Sequence, residues 1–130
     1  MRQCIVFALS LLCVIPASAE RIAQDECRQV AEKLRSELPM KISSHSTLES
    51  VECVPGKAKP KLVYKNRVLV EVKKPPPEVI EKIKAEQRQP WCTDPAQRRF
   101  LELVDISYAY YDASDRYLGA LTHRIADCGK

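Results

Sequence analysis

The chain reads as a small single α+β domain. The expected elements are about three helices and an antiparallel sheet of about four strands, in the order α-β-β-α-α-β-β, with two disulfides. Three observations lead there. Residues 22–38 carry apolar side chains at three- and four-residue spacing. Residues 61–72 alternate apolar and charged side chains. Four cysteines, Cys27, Cys53, Cys92 and Cys128, lie far apart with no C-x-x-C pair among them.

The first 19 residues, "MRQCIVFALSLLCVIPASA", read as an export leader rather than as part of the fold. Arg2 precedes a mostly apolar run from Cys4 to Ile15, and Ala17-Ser18-Ala19 supplies the small-x-small pattern of a signal peptidase site. The run is shorter than the roughly 20 residues a membrane span needs. A lipid-modified Cys13 is the competing reading, but Leu12 stands where that chemistry needs a small residue. Cleavage after Ala19 leaves residues 20–130 as the domain. The leader predicts a periplasmic or secreted protein, not membrane-spanning after cleavage. Without Arg2, 20 Lys and Arg face 17 Asp and Glu, a net charge of about +3.

Export also decides what the cysteines are for. An even set of four in a small exported chain predicts two bridges. The spacing excludes a thioredoxin-like motif and a zinc ribbon. Three pairings are open, and we expect Cys27–Cys53 and Cys92–Cys128. The first pins the leading helix to the first strand, and the second ties the approach to the third helix to the chain's end.

The helix over 22–38 places Ile22, Cys27, Val30, Ala31, Leu34 and Leu38 on one stripe and ends at Pro39. A strand follows from Thr47 to Val54, and Pro55-Gly56 marks a turn. In "KLVYKNRVLVEV" the even positions Leu62, Tyr64, Val68, Val70 and Val72 are apolar, with Asn66 among them. Lys61, Lys65, Arg67 and Glu71 take the other face. Three prolines, 75–77, then stop the strand and stiffen the approach to a short helix over 78–88.

"QPWCTDPAQRRF" starts the third helix. Asp94 suits the N-cap, Pro95 the first helical position, and Gln97, the third helical residue, falls where a capping box wants Glu or Gln. Cys92 then sits two residues outside that helix, on the approach loop, with Trp91 as a lid over its bridge. The last segment predicts a hairpin. Val104, Ile106, Tyr108 and Tyr110 share the inward face, residues 112–115 turn, and 117–128 return. Leu118, Leu121 and Ile125 do not share one parity, which a bulge near Gly119 reconciles.

Little points to catalysis. No nucleophile elbow, zinc-protease helix, P-loop or dinucleotide fingerprint occurs in the sequence. His45 and His123 are the only histidines, and the exported cysteines are expected to be bridged. We expect no metal, no cofactor and no enzymatic activity. A small hydrolase using Asp105, Asp112 and Asp115 is the alternative, although turn chemistry accounts for aspartates on a hairpin. A binding or accessory role remains, with two candidate surfaces. Between residues 57 and 74, Lys57, Lys59, Lys61, Lys65, Arg67, Lys73 and Lys74 oppose Glu71 alone, a local charge of +6. Tyr111 and Tyr117 are expected to form the second, an exposed aromatic patch suited to a partner. The partner is a protein or an anionic envelope component, such as a lipid or polysaccharide, and not a nucleic acid. An accessory factor of an envelope secretion or conjugation machine is a further reading.

A cysteine, a capped helix, the "DISYAYYD" strand, a polar turn and a return strand ending in cysteine form a pattern over roughly residues 60–130. It resembles the small exported proteobacterial proteins known as quorum-sensing-regulated virulence factors. Cys92, Tyr108, Tyr110 and Cys128 carry the resemblance. Cys27 and Cys53, the triple proline and the basic stretch depart from that family. The resemblance implies an exported, virulence-associated protein of similar fold rather than a molecular activity.

Overall fold

In the computed structural model the described residues are 7–71 and 73–129, with side chains from Ser18 onward. The leader residues Arg2 and Cys4 and the expected strand end at Val72 lie outside them. Helix α1 (Phe7–Arg35) runs without a break through Ala19 and Glu20. Two short antiparallel strands follow, β1 (Met40–Ser43) and β2 (Ser46–Val54), and then β3 (Lys61–Val68). Helices α2 (Pro77–Thr93) and α3 (Pro95–Leu103) lead to the hairpin β4 (Asp105–Tyr111) and β5 (Tyr117–His123). The chain closes on a 3-10 turn, Ile125–Cys128. Among the described residues no helix is long and apolar enough to cross a membrane.

The sheet has five strands in sequence order, β1-β2-β3-β4-β5. It is mixed rather than antiparallel, because β3 pairs with β4 in parallel, Lys61 opposite Asp105 through Arg67 opposite Tyr111. The α2–α3 pair is the crossover between them, and a parallel neighbour needs such a connection where a hairpin does not. The expected four antiparallel strands are thus corrected twice, by this pairing and by the extra edge strand β1.

Every close helix–sheet contact falls on one face of the sheet. The Cys27–Cys53 bridge joins α1 to β2, and the Cys92–Cys128 bridge joins α2 to the closing turn. On α1 the buried line is Ala23, Cys27 and Ala31, one turn apart. Ile22, expected on that stripe, is 53% exposed instead. Leu48, Val51, Leu62, Leu101, Val104 and Ile106 complete the core against Cys27 and Ala31.

Two strand irregularities place this core. Leu48 and Val51 are three residues apart, an odd spacing that regular alternation would send to opposite faces. A register shift between Leu48 and Ser50 inserts Glu49 and returns both to the helix side. On β5 the partners of Tyr110 and Tyr111 are Gly119 and Tyr117, so Leu118 is the extra residue. Leu118 and Leu121 are both buried, as a bulge near Gly119 predicts, whereas the strand ends at His123 and Ile125, expected on it, lies in the closing 3-10 turn.

Cys92 lies in the last turn of α2, not on a loop, because the helix continues through Pro90 to Thr93. Proline inside a helix forfeits one backbone bond. Pro90 and Glu86, whose carbonyl loses that bond, are both exposed to water. The junction to α3 is a single residue. Asp94 takes the Gln97 backbone N–H on its carboxylate at 3.0 Å, as its cap position predicts.

Candidate functional site

Between α1 and α3 the helix layer leaves a cleft of about 290 Å3 whose floor is the sheet. Val30 and Glu26 of α1 form one wall. Ala96, Phe100 and Leu103, spaced four and three apart on α3, form the other. Tyr64 of β3 and Trp91 of α2 line it as well, while Gln97 and Arg99 of α3 add polar groups. The cleft exists because α3 is only nine residues long and shares little surface with α1.

Tyr64, the one sheet residue in its lining, begins a polar ladder that continues across the sheet on the alternation of three strands. Tyr64 stacks on Tyr108, ring centroids 4.9 Å apart and planes 14° from parallel. The Trp91 indole N–H donates to the Tyr108 hydroxyl at 3.3 Å. Tyr108 meets His123 edge to face at 5.9 Å. Gln87 of α2 donates its amide N–H to the Tyr110 hydroxyl at 3.2 Å, and its carbonyl lies 2.9 Å from His123 Nε2. A carbonyl only accepts, so Nε2 carries the ring proton and Nδ1 is a bare acceptor. Nδ1 is enclosed without a partner, as is Asn66 Nδ2. Burial pushes all three tyrosine hydroxyls up, offset at Tyr108 by the Trp91 donor and at Tyr110 by Gln87. Burial, with the positive charges of Lys84 and Arg88, pulls His123 down to about 4 against the smaller pull of Asp127.

The sequence-derived surface residues separate into groups. Lys65, Arg67, Tyr111 and Tyr117 share the sheet face away from the helices. Lys65 Nζ lies 4.6 Å over the Tyr111 ring, which meets Tyr117 edge-on at 5.5 Å. The charge there is locally compensated. Arg67 pairs with Glu49 at 3.4 Å and Asp115 at 3.1 Å, and Lys65 reaches Asp115 at 3.6 Å. Lys57 and Lys59 line a separate open cleft of about 750 Å3 with the α1 segment from Ala19 to Arg28. Lys59 there donates to the Leu101 carbonyl at 3.4 Å. Lys61 stands at the start of β3 opposite Asp105.

The three hairpin aspartates are engaged by the fold. Asp105 pairs with Arg124 at 3.6 Å. Asp112 accepts the backbone N–H of Ser114 and Arg116 and binds the Arg116 guanidinium at 2.9 Å. Burial alone would raise Asp112, but these hydrogen bonds and the Arg116 charge hold its carboxyl below the usual range. Asp115 has φ of 68° and closes the turn. Among the described residues no cluster of three His, Cys, Asp or Glu is placed to hold a metal ion.

No family model matches the chain, and no curated protein does. Solved structures do. The fold is similar to that of two type II secretion pilotins. EpsS, the pilotin of the Vibrio vulnificus type 2 secretion system, matches with a TM-score of 0.67 at 12% identity, covering 88% of this chain and 98% of its own. The pilotin AspS from Vibrio cholerae matches with 0.61 at 13% identity, covering 86% and 97%. A Pseudomonas aeruginosa chain described as a secreted protein matches with 0.62 at 10% identity, covering 85% and 96%. At these identities the likeness is one of fold. The cleft was hidden in the sequence because its residues come from four separate elements. The four- and three-residue spacing of Ala96, Phe100 and Leu103 was the one local sign of it.

Proposed function

We propose that this chain is a non-catalytic accessory factor of an envelope secretion machine, and that it holds an apolar segment of a protein component of that machine. The cleft between α1 and α3 carries the proposal, being an aromatic, mostly apolar recess rimmed by Glu26 and Arg99. Such recesses serve protein recognition, with aromatic anchors at the centre and polar groups at the edge. Two of the matched structures are pilotins of type II secretion systems, and their fold spans nearly the whole of each chain. Export to the periplasm or beyond rests on the leader over residues 1–19. The resemblance through Cys92, Tyr108, Tyr110 and Cys128 would add regulation by population density, not an activity. The engagement of Asp105, Asp112 and Asp115 in turn and ion-pair roles favours binding over hydrolysis.

The test is purification of the full chain from its native envelope, with wild type beside a Val30→Ser/Phe100→Ser double variant. Mass spectrometry is expected to find a secretion-machine component with the wild type and to lose it with the variant, provided circular dichroism shows the fold intact. Equal recovery of the same component with both chains would exclude the cleft as the docking site.

A further inference from the structure

Lys73, Lys74 and the three prolines 75–77 lead into α2, and the sequence dictates their backbone. Lys74, Pro75 and Pro76 each precede a proline, which drives them out of the helical region toward extended ψ. The proline rings fix φ at about −65° as well. Pro76 shows the result, with φ −64° and ψ 155°, the polyproline II conformation. The segment is tethered at both ends. Before it, the Val70 carbonyl accepts the Ala113 N–H at 3.2 Å, and the Glu71 carboxylate accepts the Ser114 hydroxyl. At its end, the Pro76 carbonyl accepts the Val79 N–H at 3.0 Å.

The fold accounts for two of the three prolines. Pro75 is half-buried, and Pro77 takes the first position of α2, where the missing N–H would have lacked a helical partner anyway. Pro76 stands at the N-cap, where Ser, Thr, Asp or Asn would accept from a free helix N–H. It makes no such bond, and it is exposed. A polyproline II helix has three residues per turn, so it presents three edges. With the Pro75 edge turned toward the domain, Lys73 and Pro76 form one outward ridge, and Lys74 and Pro77 form the other. The two members of each ridge stand about 9 Å apart. All four residues are exposed. Neither lysine takes part in an ion pair among the described residues.

We propose that Lys73 to Pro77 is a docking motif for a protein partner with an aromatic-lined groove rimmed by carboxylates. The rings of Pro76 and Pro77 lie between the partner's aromatic side chains, and the two lysines meet its acidic rim. A backbone already held in this form has little conformational freedom left to lose on binding. None of these residues lines the cleft between α1 and α3. Along α2, Pro77 is about 21 Å from Trp91 at the helical rise per residue. The motif is therefore a second contact and does not depend on the cleft reading.

The test uses the full chain in its native envelope, with exposed Glu78 replaced by a photo-reactive phenylalanine derivative. Irradiation is expected to join the chain to one protein. A synthetic peptide of residues 73–78 is expected to abolish that product, and the same peptide with serine at all three proline positions is expected to leave it. Pro76→Ser is expected to lower the yield about tenfold, the scale of losing one anchor residue. Its melting temperature should hold or rise by a few degrees, because serine is the better N-cap. Lys73→Glu/Lys74→Glu is expected to lower the yield as strongly. No product, a product that persists at full yield with the proline peptide or with Pro76→Ser, or equal competition by both peptides overturns the motif. A lower melting temperature in Pro76→Ser assigns that proline to the fold and overturns it as well.

Discussion

His123 is buried with 1% of its surface exposed, its Nε2 on Gln87 and its Nδ1 without a partner. The groups around it are Lys84 and Arg88 from α2, Asp127 from the closing turn and the Tyr108 ring from β4. Burial is the largest influence and the two cations add to it, so the folded chain holds the imidazole neutral down to about pH 4. The unfolded chain takes the proton near the ordinary value of 6.5. Stability is therefore whole above about pH 6.5 and falls as pH drops toward 4, because only the unfolded state binds the proton in that window. Urea midpoints measured from pH 7 to pH 4 are expected to decline, and His123→Gln is expected to flatten that decline. A parallel decline in both chains would overturn the assignment to His123, because the depressed carboxyls Asp112 and Asp127 keep their contribution through this window and lose it only at lower pH. At this scale the sequence spoke for faces but not for partners. The alternation of Tyr108 and Tyr110 put both on the helix side. The Gln87–His123 contact spans 36 residues and left no local trace.

At the scale of elements, Gly119 shows what a local signal delivers. The parity conflict among Leu118, Leu121 and Ile125 predicts a bulge, and the bulge occurs with Gly119 at φ 148°, a value that side chains rarely adopt. Ile80 of α2 also lies over it, with Cδ1 3.2 Å from where a Cβ would stand. Gly119→Ala is expected to cost about 1–3 kcal/mol, from backbone strain and from pressing on Ile80. Adding Ile80→Val to Gly119→Ala should recover only the packing part in denaturant unfolding. Full recovery would mean that the backbone carries no strain. Other elements were less legible. The edge strand β1 is four residues with one large exposed apolar side chain, Ile42, so burial left no pattern to read. The parallel pairing of β3 with β4 is a property of the crossover, not of either strand's composition. The α2 end, expected at residue 88, lies at Thr93 because the helix carries Pro90 on an exposed side, where the lost backbone bond is met by water.

At the scale of the whole molecule, the two bridges fasten the two walls of the cleft independently. Cys27–Cys53 holds α1 to the sheet, and Cys92–Cys128 holds the end of α2, and through Asp94 the start of α3, to the closing turn. The bridges close chain segments of 26 and 36 residues. In the chain-entropy account each contributes about 3–4 kcal/mol. For a domain of this size the loss of either should lower the melting temperature by about 15 °C or more. The two losses should differ in place. α1 packs mainly on β2, so with Cys27→Ala/Cys53→Ala its amides should exchange faster while α2 and α3 keep their protection. Alanine is chosen because Cys27 is fully buried and a serine hydroxyl there would lack a partner. With Cys92→Ala/Cys128→Ala the closing turn and the last turn of α2 should open while α1 stays protected. Only the first variant widens the cleft from the α1 side, so it should lower recovery of the native secretion-machine component more than its stability loss alone explains. Uniform loss of protection across the chain in both variants would show that the walls open together and that the bridges act on one cooperative unit.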